Sequence, residues 1–220
     1  MFGKAARADR RDDSPGPASL LGYTSPPYRA RIPPTSSEAP LALSATIHQF
    51  DVQLSHVDRG VYESLELRVA RHPSESEEFL CARVLAFCLE QREGLAFTRG
   101  LAEPDLPALE VRDLTGALQA WIEVGAPDAA RLHRAAKAAP RVAVYTHHDT
   151  ARYWASLAEA RIHRAAALEL YGLDRALVAA LVERLGRRTA FDLSVTDGTL
   201  YLTLGGELLT GTVVQHRLQG

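Results

Sequence analysis

The stretch from Ala117 to Thr146 limits the possible folds more than any other. Leu118, Ala120, Ile122 and Val124 alternate with Gln119, Trp121 and Glu123, the period of a strand, until Gly125 breaks the pattern. Pro127 suits the first turn of a helix, where its missing N–H costs nothing, and Asp128 suits the positive end of the helix dipole. Leu132, Ala135, Ala136 and Ala139 mark an apolar helical face, and Arg141-Val142-Ala143-Val144-Tyr145-Thr146 reads as a second apolar strand. Strand, helix and strand within about 30 residues predict a right-handed crossover in a mainly parallel sheet. Ligands of such sheets gather beyond the carboxyl ends of the strands, and Glu123 falls there.

The flanking segments add strands to this unit. Ala45 to Leu54 and Val61 to Val69 alternate around Asp58-Arg59-Gly60 and read as an antiparallel hairpin. Ser74 and Glu77 have the spacing of a capping box, so a helix is expected from there to about Glu93, with Phe79, Val84, Phe87 and Cys88 on one side. Leu95 to Pro107 reads as a loop containing Pro104-Asp105, and Ala108 to Leu114 as a short strand turned back by Thr115-Gly116. A helix is expected from Thr150 to His163, an edge strand over Ala166 to Leu170, and a helix from Leu173 to Leu185 capped by Asp174. Phe191-Leu193-Val195 and Leu200-Leu202-Leu204 flank Asp197-Gly198, a strong hairpin signal, and Leu208 to Val214 adds a further strand.

Residues 1–43 hold 7 of the 12 prolines and no periodic apolar pattern, so they are expected to be a disordered leader before a single domain over residues 44–218. Arg7, Arg10 and Arg11 are neutralised locally by Asp9, Asp12 and Asp13. That leader takes 6 of the 25 basic and 4 of the 27 acidic residues, so the remainder is mildly acidic and lacks a broad nucleic-acid footprint. Any polyanion must be met by a local patch, and Arg131, Arg134 and Lys137 supply the candidate. Cys81 and Cys88 sit about 10 Å apart along one helix, too far to bridge, and read as core thiols. No apolar run approaches the roughly 18 residues needed to span a bilayer, and no secretory signal is visible, so a cytoplasmic protein with no membrane contact is expected.

Several blocks together resemble the YaeQ family of bacterial proteins: Ala45-Thr46-Ile47, Ala70-Arg71-His72-Pro73-Ser74-Glu75, Leu85-Ala86-Phe87, Asp113-Leu114-Thr115-Gly116, Trp121-Ile122-Glu123-Val124-Gly125 and Val144-Tyr145-Thr146. The resemblance spans residues 44–218, and the leader departs from the family pattern. It implies an α/β fold, with a mixed central β-sheet flanked by helices, a restriction-endonuclease-like core of the PD-(D/E)XK superfamily, and additional N-terminal and C-terminal β-hairpins. In that superfamily acids from two successive strands hold a divalent cation, and a lysine two residues past the second acid offsets the charge that builds on a phosphate. Glu123 takes the second acidic position, while Gly125 stands where the lysine would be.

The resemblance therefore implies Mg²⁺ or Mn²⁺ on Glu123 and one upstream acid. Asp105, Asp113 and Glu110 are the candidates for that acid, because Ala108 occupies the position where the family often has aspartate. Arg134, at a position where the family tends to carry a basic residue, is the candidate charge partner, able to clamp a phosphate bidentately. Glu75 or Glu78 could match the glutamate that the superfamily often points in from an early helix, although acids favour any helix N-terminus. A salt bridge from Glu123 to Arg131 or Arg134 is the structural reading of the same residues. His147-His148-Asp149 invites a metal reading, with a solvated loop as its competitor. Two functions stay open: a metal-dependent phosphodiesterase with a degenerate site, or a nuclease-like fold that binds nucleic acid or a protein partner without cutting.

Overall fold

Two alternating segments form the first hairpin, β1 (Thr46–His56) and β2 (Val61–Arg71), in the computed structural model, which describes residues 45–218 apart from 100–102 and 104. The leader expected over residues 1–43 lies outside the described residues. A turn of 3-10 helix at Val57–Arg59 closes on Gly60, whose φ of 65° is left-handed. The chain then enters α1 (Glu77–Glu90), followed by β3 (Leu95–Phe97), β4 (Leu109–Arg112), β5 (Leu118–Val124), α2 (Ala129–Ala138) and β6 (Arg141–Thr146). After α3 (Thr150–Ala158) come β7 (Glu169–Leu173), α4 (Arg175–Glu183), β8 (Arg188–Thr196), β9 (Thr199–Leu204) and β10 (Glu207–His216).

All ten strands among the described residues join one sheet, in the order β2-β1-β8-β9-β10-β7-β6-β5-β4-β3. The terminal hairpins are thus not appendages, because β1 pairs in parallel with β8, from Gln49 opposite Arg188 to His56 opposite Val195. The expected crossover is present: β5 and β6 run parallel around α2, and β6 and β7 run parallel around α3. Asp197 and Gly198 both take positive φ, 50° and 70°, the two-residue turn that matches strand twist.

The sheet is nearly closed, and α1 explains why. Every residue from Leu80 to Glu90 is buried, so α1 has no solvent face beyond its first turn, and the expected one-sided pattern was too narrow. Inward residues of strands from both ends of the sheet, among them Val52, Leu67, Val111, Ile122 and Leu202, share one core with it and with α4. A second core on the outer face of β6 and β7 packs Leu132, Ala135 and Ala136 of α2 with Trp154 and Leu157 of α3. Leu132 is wholly buried there, a burial that stabilises by about 1.5–3 kcal/mol.

Four local expectations need correction. Ser76, not Ser74, caps α1 by accepting from the Phe79 N–H, and Glu77 instead takes Arg71 at 2.7 Å. The loop expected after Leu95 begins with a strand, β3, whose Phe97 stacks on Phe87 at 4.5 Å. The strand after Ala166 lies inside the sheet, between β6 and β10, not at its edge. Finally, α1 stops at Glu90, where Arg59 donates to the carbonyls of Leu89 and Gln91.

Candidate functional site

The carboxyl ends of β5 and β6 meet the starts of α1, α2 and α3, and a cleft of about 470 Å³ opens beside them. Phe79, Ala108, Val124, Ala126 and Pro127 give it apolar walls, and Arg83, Glu123, Arg131 and His148 bring the polar groups. Glu123 sits where the strand pattern predicts, at the end of β5, with 4% exposure. Asp128 holds the start of α2 by accepting from the Arg131 N–H, which fixes the direction in which the Arg131 side chain leaves the helix.

Arg131 closes the Glu123 carboxylate. Its Nε donates to Oε1 at 2.6 Å and its Nη2 to Oε2 at 3.2 Å, while Trp121 Nε1 donates to Oε1 at 2.6 Å. The same Nη2 also donates to the Leu106 carbonyl at 2.6 Å, so one guanidinium ties the loop before β4 to the end of β5. Burial raises the Glu123 carboxyl above its ordinary range, and the bonds from Arg131 and Trp121 oppose that rise.

The other predicted acids do not converge on Glu123, although the charge of Arg134 does act to lower its carboxyl. Asp113 accepts from the Thr115 and Ala117 N–H groups, the Thr115 hydroxyl and the Gln119 amide, and so forms the turn at the far end of the β4–β5 hairpin. Glu110 pairs with Arg112 at 2.8 Å. Asp105 is exposed and stands outside the cleft wall, although its neighbour Leu106 is the residue Arg131 holds. Glu78 lines a separate cavity of about 330 Å³ with His147, His148 and Arg175, and its carboxyl is lowered by its own backbone N–H and the Ser76 hydroxyl. Glu75, the other early-helix acid, is buried against Arg83 at 3.0 Å. Arg134 and Lys137 are exposed on α2, so the expected basic patch loses Arg131 to the cleft.

A divalent cation does not fit this arrangement. Both Glu123 oxygens already face cationic or N–H donors, and among the described residues no three His, Cys, Asp or Glu side chains converge. His147 is buried with its Nδ1 unpartnered, and burial carries its imidazole down to about 4, so it stays neutral. The position of the superfamily lysine is closed by backbone as well as by residue type. Gly125 has φ of 89°, and a Cβ there would stand 3.3 Å from the Phe79 ring.

Sequence reasoning missed Arg83. Its Nη2 donates to the Ala70 carbonyl at 2.8 Å and to Glu75 at 3.2 Å, and the guanidinium lies 5.6 Å over the Phe97 ring. An arginine within an apolar helical run, seven residues before Glu90, was the available signal. Also missed was the network at the other end of α1, where Glu90 accepts from Arg92, Arg141 and the Tyr145 hydroxyl.

A mixed α/β protein with a nearly closed ten-stranded sheet, a buried axial helix and a cleft at the parallel strand ends is the class these features define. A model of the YaeQ protein family matches residues 41–213. The chain belongs to the YaeQ family. It is 32% identical over 164 residues to the uncharacterised YaeQ proteins of Escherichia coli strain K12 and Salmonella typhi, covering 74% of this chain and 91% of each relative. The crystal structure of the YaeQ protein from Xanthomonas axonopodis pv. citri aligns with a TM-score of 0.74 at 32% identity, over 80% of this chain and all of that one. That from Pseudomonas syringae aligns at 0.71 and 29%, over 80% and 97%.

Proposed function

We propose that β4, β5, α2 and β6 form a restriction-endonuclease-type core in which an ion pair has replaced the metal site, and that the protein binds nucleic acid without cutting it. The observation that carries this reading is the pairing of Glu123 with Arg131 and Trp121, which sets a guanidinium where a metal ion would stand. The positive charge needed to hold a phosphate backbone comes from Arg134 and Lys137, exposed on the helix that starts at the rim of the cleft.

Fluorescence anisotropy with labelled single-stranded and duplex oligonucleotides at about 50 and 200 mM salt tests the reading. Binding is expected to weaken with salt. Replacing both Arg134 and Lys137 by glutamate is expected to lower the slope of log K against log salt by about 2, roughly one per lost phosphate contact. No cleavage is expected with Mg²⁺ or Mn²⁺ present. Metal-dependent cutting that Glu123→Gln abolishes would overturn the proposal and restore the phosphodiesterase.

A further inference from the structure

Arg83 is 4% exposed, yet all its hydrogen bonds leave through one nitrogen, Nη2. Its Nε is sealed away without an acceptor, so the donor left for a ligand is Nη1, which is not sealed and has no acceptor among the described residues. The guanidinium stands between the 470 Å³ cleft and a groove of about 710 Å³ bounded by the two edge strands β2 and β3. That nitrogen is available to an acceptor that enters one of these spaces.

The charges around the cleft decide what kind of acceptor. Arg83 is paired with Glu75, and Arg131 with Glu123, so the ionic groups cancel. A phosphate or carboxylate entering here would add an uncompensated charge to a half-closed, largely apolar space. An uncharged ring bearing a carbonyl would not. Phe79 and Pro127 offer flat apolar walls to such a ring, and the volume lies in the usual range for small-molecule sites. Gly125 keeps the space open, since a Cβ at that point would stand 3.3 Å from Phe79 and 3.9 Å from His148 Nε2.

We propose that this cleft binds a single nucleobase, whose carbonyl oxygen accepts from Arg83 and whose ring lies against Phe79. The inference deepens the nucleic-acid reading: a base turned out of its strand enters the cleft while its backbone stays outside on Arg134 and Lys137.

Free nucleosides separate the two claims. Uridine, adenosine and inorganic phosphate are titrated in turn against the full chain by ligand-observed NMR and calorimetry. Uridine is expected to bind, adenosine, which has no carbonyl, more weakly, and phosphate not at all in the cleft. Ala126→Leu, at an exposed position on the cleft wall, is expected to weaken uridine binding by about tenfold or more. Arg83→Met is expected to do the same, with circular dichroism confirming that it folds. The proposal is overturned if uridine fails to bind, binds Ala126→Leu as well as the parent chain, or is displaced by phosphate. Nucleoside binding with no oligonucleotide binding would sink the strand reading alone, and the converse result would sink this one alone.

Discussion

Gly125 is one of the residues, with Ala108, at which this chain departs from the pattern it resembles. A lysine here would be strained, because φ of 89° favours glycine and a Cβ would stand 3.3 Å from the Phe79 ring. Gly125→Lys is therefore expected to cost roughly 1–2 kcal/mol in denaturant unfolding and to confer no metal-dependent cleavage. An active Gly125→Lys variant would refute that account of the site. His147 carries a second prediction, in pH. Its folded-state value is depressed to about 4 from an ordinary 6.5, chiefly by burial, so the unfolded chain binds the proton more readily. Its contribution to stability is complete above 6.5 and is lost as pH falls toward 4. Urea midpoints measured at pH 7 and pH 4.5 are expected to fall less in His147→Gln than in the parent chain, and equal falls would count against a buried neutral imidazole.

At the scale of elements, the start of α1 is the sharpest test of what local patterns can reveal. Ser76→Ala is expected to cost about 1 kcal/mol by removing the cap on Phe79, whereas Ser74→Ala, which loses only a bond to the His72 ring, is expected to cost less. Chemical denaturation of the two variants checks this, and the reverse order would favour the Ser74–Glu77 box. The β1–β2 hairpin, the β5–α2–β6 crossover and the Asp197-Gly198 turn were legible because each is set by contacts within a few residues or by one strong period. The strand β3 was not, since three residues carry no period, and its place depends on pairing with β4 and on Phe87. The same limit applied to the site. Glu123 could be placed from the strand pattern, but Arg131 and Arg134 are separated only by where Asp128 starts the helix, and Arg83 reaches the cleft only through tertiary packing.

The whole molecule is organised around a helix that carries charge at both ends of its buried run. Near its start Arg83 meets Glu75, and in its last turn Glu90, 1% exposed, is held by Arg141, Arg92 and Tyr145. Arg141 spans Glu90 and Glu169, so it fastens the axial helix to both β6 and β7. Arg141→Met is expected to destabilise by about 3–5 kcal/mol in urea unfolding, because a buried carboxylate would lose its main counter-charge. A loss below 1 kcal/mol would show that Arg92 alone suffices. The parallel seam between β1 and β8 has a different consequence, one of timing. A ribosome must have made residues 57–187 and then β8 before the opening hairpin can find its parallel neighbour, so this seam forms late in synthesis. Nascent chains arrested before Arg188 are expected to leave β1 open to protease attack, and release of the finished product is expected to close it.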